Sequence, residues 1–384
     1  MKYYLIAGEA SGDLHGSNLM KGLYQEDPAA DIRYWGGDLM DAVHRTYQGG
    51  SALVKDYREG AVMGFVEILM SARKLKARLR FCEEDILAWK PDVVVLIDYP
   101  GFNFRMAEFA HKAGFRVYYY IAPKVWATRE GRIRKLKAFV DKLFIVFPFE
   151  KPYFERKGVP YVYAGNPLVD AVDTSPAMQE TREAFLARTG LPDTPWIALL
   201  AGSRSHEIAS MMPVYMQFAD LWHAAHPACR MVVAAAPSRS GEDYAKYIGG
   251  RDYVTVVCGE TYGAIRHAEA AVINSGTASL ETALIGTPQV VGYRMAYLSY
   301  VLVKGMIKIK FISLANLIID RPAFKELLQD YFTPENLFAE VSRLTADTRY
   351  RERMQADYAQ IREMLGGTGA SRAVAREMVK SLSL

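Results

Sequence analysis

Short runs of aliphatic, β-branched and aromatic residues recur along this chain, each followed by a longer stretch whose apolar positions return every three or four residues. The runs predict strands at 2–7, 31–35, 92–98, 115–121, 142–147 and 160–164. A second series predicts strands at 196–201, 230–236, 253–257, 271–274 and 289–293. Regular alternation of strand and helix implies parallel sheets covered by helices on both faces. Beyond residue 335 the strand pattern stops. Helices are expected at 335–345 and 347–365, then Gly366-Gly367-Thr368-Gly369 and a final helix.

With 384 residues the chain exceeds one ordinary core, so two domains are expected. The first series ends at Ala164-Gly165-Asn166-Pro167, and a polar, Pro-containing link, Asp170–Pro176, leads into the second. The expected division is 1–167 and 168–365, with 366–384 packing back on the first part or on another subunit. The fold class is α/β: two doubly wound, Rossmann-like halves facing across a ligand cleft.

Composition narrows the function. A 51% hydrophobic, 23% charged chain is an ordered globular protein. A net charge of +4 is too small for a nucleic-acid binder without a local patch. Cys82, Cys229 and Cys258 are far apart and form no C-x-x-C, which argues against a disulfide framework or a zinc site and for a reducing cytosol. The N-terminus enters a strand at once and meets Glu9 and Asp13, so no signal-peptide core fits. No run of about 18 apolar residues exists; the nearest, 296–319, is broken by Lys304, Lys308 and Lys310.

Three strand ends hold candidate chemistry. Ser275-Gly276-Thr277 links an apolar strand to a helix, and a helix start stripped of bulk is an anion site for a phosphate. Glu281, one turn further on, is placed to reach a sugar hydroxyl beside it. The plainer reading is a capped helix, with Ser275 or Thr277 as N-cap and Glu281 a surface acid. Gly202-Ser203-Arg204 repeats the arrangement, with Arg204 as a diphosphate clamp or a surface arginine near a capped helix. Asp98 ends an apolar strand before Tyr99-Pro100-Gly101. It is either a general base for a bound hydroxyl or a turn aspartate satisfying nearby N–H groups.

The first loop, Gly8-Glu9-Ala10-Ser11-Gly12-Asp13-Leu14-His15-Gly16, fits neither the dinucleotide fingerprint nor the P-loop. Its helix start holds a phosphate or sugar, or Ser11 caps the helix and Asp13 complements its dipole. His15 is expected to pack or lie at the surface. No D-x-D or His/carboxylate cluster suggests a metal, and no cofactor is expected.

Residues 61–80 are the compositional oddity. Phe65, Ile68, Leu69, Ala72, Leu75 and Leu79 recur at helical spacing, Val62, Met63, Val66 and Met70 widen the apolar arc beyond that stripe, and Arg73, Lys74, Lys76, Arg78 and Arg80 follow with no acid among them. An apolar arc beside a basic cluster suits an anionic membrane surface or an acyl-chain pocket; an amphipathic core helix with a solvated face is the alternative. The Lys-interrupted stretch 297–312 has a similar character.

Gly8–Asp13, Ala61–Glu67, Ile97–Asn103, Phe147-Pro148-Phe149-Glu150, Gly202–Arg204, Ser275–Glu281 and Val291-Gly292-Tyr293-Arg294 occur in this order. Over about residues 3–330 the set resembles the lipid-A-disaccharide synthases of Gram-negative bacteria, inverting glycosyltransferases of the GT-B fold. The resemblance implies transfer from UDP-2,3-diacylglucosamine to the 6-hydroxyl of 2,3-diacylglucosamine 1-phosphate, giving a β-1,6 disaccharide phosphate and UDP. It implies Asp98 as general base and Gly202, Ser203, Arg204, Ser275, Gly276, Thr277, Glu281, Arg294 and Asn316 around the UDP-sugar. Glu9, Ser11, Gly12, Asp13 and Asn103 are the implied acceptor set. It also implies a cytoplasmic enzyme peripheral to the inner membrane, and a homodimer is possible through exchanged C-terminal parts. Ala201 and Ala315 stand where the family pattern has Pro, and Asn166 where it has His, which removes an acid–base role there. Two rivals are a UDP-N-acetylglucosamine 2-epimerase of the same architecture and a non-catalytic membrane-peripheral UDP-sugar-binding protein.

Overall fold

The structure, a computed structural model, describes residues 1–60, 67–127, 130–294 and 310–383, with side chains from residue 73 onward in the helix that begins at Glu67. It divides into one unit of Met1–Ala171 with Leu365–Leu384 and a second of Val172–Met364.

In the first unit β1 (Lys2–Ala7), β2 (Asp31–Gly36), β3 (Leu53–Asp56), β4 (Val93–Ile97), β5 (Arg116–Tyr120), β6 (Lys142–Ile145) and β7 (Val162–Tyr163) form one parallel sheet, ordered β3-β2-β1-β4-β5-β6-β7. Side-chain alternation sends Tyr4, Ile6, Val94, Leu96, Val117 and Tyr119 into one core. Tyr3, Leu5, Val93, Val95, Ile97, Tyr118 and Tyr120 enter the other. Both faces are covered by α1 (Ala10–Glu26), α2 (Asp38–Gln48), α3 (Glu67–Trp89), α4 (Pro100–Lys112), α5 (Ile133–Phe139) and α6 (Glu150–Lys157). Every strand in the first expected series is present, each within a few residues of its expected ends. β3 was not anticipated: four half-buried residues on a sheet edge carry too short an alternation to stand out.

After α7 (Pro167–Asp173) the second unit opens with α8 (Arg182–Thr189). Its strands β8 (Trp196–Leu200), β9 (Arg230–Ala235), β10 (Val254–Cys258), β11 (Ala270–Asn274), β12 (Gln289–Tyr293) and β13 (Glu326–Leu328) pair in parallel, ordered β10-β9-β8-β11-β12-β13. The helices are α9 (Ser205–Ala225), α10 (Glu242–Ile248), α11 (Thr261–Arg266), α12 (Thr277–Ile285), α13 (Leu314–Ile319), α14 (Pro334–Ala346) and α15 (Thr348–Leu365). β13, three residues on an edge, also escaped the sequence pattern.

The last helix, α16 (Ala370–Leu382), returns to the first unit and lies on α1. Gly22 permits the approach, since a Cβ there would sit 3.0 Å from Ala375 Cβ and 3.0 Å from Arg372 Cα. The start of α16 is held by Asp170, whose carboxylate accepts from Gly369 N at 2.6 Å and Ser371 N at 2.8 Å. Glu26 accepts from Arg372 Nε at 2.6 Å and Arg376 Nε at 3.1 Å. These bonds hold its carboxyl down at about 2. A depressed acid contributes stability above its unfolded value and loses it as pH falls through the folded one. Protection of the α16 amides, taken relative to their intrinsic exchange rate at each pH, is therefore expected to fall as pH drops from about 4.5 towards 2, and Glu26→Gln should flatten that dependence.

Candidate functional site

In each sheet the chain winds outward in both directions from a central pair, β1/β4 in the first and β8/β11 in the second. Loops leaving the carboxyl ends of such a pair part to opposite faces, and the gap they leave is where α/β proteins bind ligands. Asp98 and the Gly8–Asp13 loop lie at the first switch point, and Gly202–Arg204 and Ser275–Thr277 at the second.

Half-buried Asp98 leaves β4 with φ +43°, and Tyr99 follows with φ +47°. Two successive non-glycine residues in the left-handed region cost about 1–3 kcal/mol each, and such strain gathers at active sites. Here it is pinned. Asp98 O accepts from Asn103 Nδ2 at 2.8 Å and Tyr119 Oη at 2.7 Å, and Asp98 N donates to Tyr120 O at 3.1 Å. The Tyr99 ring lies against Gly8, where any Cβ would collide with it.

Several acceptor candidates make bonds that hold the scaffold. Asp13 is buried, and its carboxylate accepts from Gly37 N (2.8 Å), Leu39 N (3.1 Å) and Met40 N (3.1 Å), the start of α2. Burial raises its pKa while these bonds pull the other way. It caps a neighbouring helix and, in the first turn of α1, also lies where an acid complements its own helix dipole. Asn103, also buried, spends its amide on Ile6 O, Ile97 O and Asp98 O. Ser11 is no cap, because α1 begins at Ala10 behind Glu9 without a side-chain bond. Gly12 is buried against Ala7. Glu9 remains exposed and Ser11 half-buried. His15 packs in the interior, and burial holds its pKa down at about 4. Asn166 Nδ2 donates to Val146 O and its Oδ1 accepts from Leu168 N.

Glu150 was quoted only as part of a motif, yet it buttresses this edge. It is 1% exposed and accepts from Val146 N, Phe147 N and Trp126 Nε1 at 3.0–3.1 Å. It ties the loop after β5 to the loop after β6. Burial pushes its carboxyl up to about 7.

At the second switch point Gly202 has φ +96°, and a Cβ would fall 2.5 Å from both Asn274 Nδ2 and Glu207 Oε2. Only glycine fits there. Glu207 Oε2 accepts from Ser203 N and Arg204 N, each at 3.1 Å, and Glu207 Oε1 lies 3.3 Å from Arg204 Nη1. Arg204 is exposed beside the start of α9. Neither Ser275 nor Thr277 caps α12: the N-cap is Gly276, without a side-chain bond, and a Cβ there would meet nothing within 4 Å. Ser275 Oγ bonds Ile312 O at 3.4 Å instead. Among the described residues nothing covers this helix start, as an anion site requires. Glu281 is not a surface acid. It is half-buried, burial raises its pKa, and its Oε1 accepts from Tyr262 Oη at 2.6 Å.

Exposed Arg294 donates to Phe332 O at 2.9 Å, with its guanidinium 5.6 Å from the Phe332 ring centre. Asn316 needs correction as a direct ligand contact. It is buried, donating to Phe324 O and Glu326 Oε1 and accepting from Ala323 N and Phe324 N. All its amide capacity is used within the loop. Glu326, on the edge strand missed in the sequence, also receives Ile312 N and Ser313 N. Among the described residues no group of three or more His, Cys, Asp or Glu is placed to hold a metal.

On the basic helix, Val62, Met63, Phe65 and Val66 lie outside the described residues, as do the side chains of Leu69 and Met70. Arg73, Lys74, Lys76 and Arg80 are exposed, Arg80 pairing with Glu84 at 2.8 Å. Arg78 is half-buried with its guanidinium 5.6 Å from the Trp35 ring centre, so it packs on the core rather than standing in the basic face. Most of the stretch 297–312 lies outside the described residues. No described helix is long and apolar enough to cross a membrane.

A sequence profile of the family described as Lipid-A-disaccharide synthetase matches residues 3–379. A lipid-A-disaccharide synthase of Geobacter metallireducens is 37% identical over 380 residues, covering 98% of this chain and 96% of the relative. One from Trichlorobacter lovleyi is 34% identical over 373 residues, 97% and 95% of the two chains. Among solved structures, UDP-GlcNAc 2-epimerase from Neisseria meningitidis bound to UDP-GlcNAc superposes with a TM-score of 0.70 at 13% identity, covering 99% of this chain and all of that one. At that identity the likeness concerns the fold alone.

Asp13→Ala should lower the unfolding free energy by about 2 kcal/mol or more, because three helix N–H groups lose a charged partner. Urea titration measures it. Unchanged stability with a raised KM for the acceptor sugar would return Asp13 to the ligand set.

Proposed function

This chain belongs to the lipid-A-disaccharide synthetase family and is a glycosyltransferase of lipid A synthesis; from that premise we propose how its residues divide the reaction. The donor is UDP-2,3-diacylglucosamine and the acceptor 2,3-diacylglucosamine 1-phosphate. The observation carrying this reading is the placement of the family's motifs at the carboxyl ends flanking both switch points, Asp98 in one sheet and Gly202–Arg204 with Ser275–Thr277 in the other.

Asp98 takes the proton of the acceptor 6-hydroxyl. The freed oxygen electron pair attacks the anomeric carbon on the face opposite the diphosphate. The bond from that carbon to the diphosphate oxygen breaks, UDP leaves with the pair, and the configuration inverts, as one base on the opposite face dictates. The negative charge growing on UDP meets Arg204 and the open start of α12. Glu281 binds the ribose, and Arg294 supports the donor loop from the end of β12. Asn316 and Glu326 act beneath them, fixing the turn into α13. Exposed Glu9 and Ser11 remain the acceptor contacts of the first loop.

The lipid substrates call for a membrane surface. The exposed run Arg73, Lys74, Lys76 and Arg80 supplies the charge for peripheral binding to the anionic inner face of the inner membrane. A homodimer formed by exchange would trade α16, the element joined to its unit through Gly366 and Gly369 at φ +89° and +104°.

Asp98→Asn should lose about 10²–10⁴-fold in turnover while calorimetry still registers UDP binding. Wild-type turnover in that variant would remove Asp98 from the mechanism. Arg204→Ala should instead weaken UDP itself. Reversing the charges of Arg73, Lys74 and Lys76 should reduce co-sedimentation with phosphatidylglycerol vesicles; undiminished sedimentation would exclude this face.

A further inference from the structure

Tyr262 belongs to none of the motifs above, yet it makes the one hydrogen bond found on the Glu281 carboxylate among the described residues. Its Oη lies 2.6 Å from Glu281 Oε1, a length typical of a hydroxyl donating to an ionised carboxylate. A tyrosine donates there because its own ionisation is strongly disfavoured: burial is the largest cause, followed by the charge of Glu281 and their hydrogen bond.

The donor is held rigidly. α11, which carries Tyr262, is only six residues long but is tied down from several sides. Trp196 Nε1 donates to Ala264 O at 2.9 Å, and Thr287 Oγ1 donates to Ile265 O at 2.8 Å. Arg266 Nη1 donates to Ala177 O and Glu180 O. Gly263 lies so close to the Phe185 ring that any Cβ there would collide with it. At the helix start, Glu260 is paired with Arg188. A side chain leaving such a platform has little freedom to follow a moving partner.

Two opposing influences act on Glu281. Burial favours the neutral acid, and the Tyr262 bond favours the carboxylate. A neutral acid is a poorer acceptor for a sugar hydroxyl than a carboxylate with one oxygen anchored and the other still to be used. We infer that Tyr262 is a positioning residue for donor binding: it fixes Glu281 by Oε1 and leaves Oε2 to accept from a ribose hydroxyl of the uridine nucleotide. This rests on the reading of Glu281 as the ribose contact. The pair selects a ribonucleotide over its deoxy counterpart, because losing the sugar hydroxyl leaves an anchored carboxylate without its partner.

Calorimetry with UDP, 2′-deoxy-UDP and 3′-deoxy-UDP tests this on the full chain, using wild type, Tyr262→Phe, Glu281→Ala and the double variant. Tyr262→Phe is expected to weaken UDP about tenfold. It should also shrink the preference for UDP over whichever deoxy nucleotide the wild type disfavours, and raise the donor KM more than it lowers kcat. In the Glu281→Ala background, Tyr262→Phe should cost little more, since it acts through the lost group. Equal weakening of UDP and the deoxy nucleotides, or an undiminished effect of Tyr262→Phe without Glu281, would reduce Tyr262 to a packing residue and overturn the inference. Wild-type UDP affinity in Glu281→Ala would overturn both the inference and the ribose reading beneath it. Wild-type affinity in Tyr262→Phe alone would leave the ribose reading standing and remove only the inference. Thermal unfolding of each variant separates loss of fold from loss of the bond.

Discussion

Parallel pairing runs every strand of a sheet the same way, so all the loops that leave carboxyl ends gather along one edge. Both sheets obey this constraint, and in each the order reverses at a central pair, β1/β4 and β8/β11. Helices depart from that pair to opposite faces, leaving backbone and short side chains uncovered where a ligand needs them. The chemistry assigned to Asp98 and to Arg204 with Ser275–Thr277 depends on this geometry before any side chain is considered. Burying both faces makes these strands almost continuously apolar; β4 and β11 are buried from end to end.

Holding the exposed edges in shape falls to carboxylates that are buried or, for Glu326, half-buried. Asp13 gathers N–H groups at the start of α2, Asp170 at the start of α16, Glu150 between two loops, and Glu326 beneath α13. Each occupies a place where loop backbone would otherwise lack acceptors. An ionised oxygen there binds more strongly than a neutral one, enough to offset part of its own burial. Glycines do the complementary task by omission, Gly8 beneath Tyr99 and Gly202 between Asn274 and Glu207.

The strand pattern was legible because parallel strands are written as apolar runs, and both sheets follow from it. β3 and β13 were not, since a few residues paired on one side carry no period. At the site the turn from strand to helix around Gly276 was legible from its small residues. The fate of polar side chains was not. Asp13, Asn103 and Asn316 enter the ligand sets through the family resemblance; only the fold reveals that backbone groups already use them, far along the sequence for Asp13 and Asn103 and nearby for Asn316. Tyr262 was invisible for the converse reason, being an aromatic residue whose one polar atom reaches a partner 19 positions away.

The return of α16 to α1 has a consequence for the order of events at the ribosome. The first unit is made of residues 1–171 and 365–384, whereas residues 172–364 form the second without interruption. During synthesis the first unit waits, its α1 face and the Glu26 carboxylate uncovered, until the last residues emerge. The second can close as soon as its own contiguous stretch is out. The domain begun first is thus finished last, and a truncation of only the final helix would leave an exposed apolar groove along α1 in a protein whose second unit is already complete.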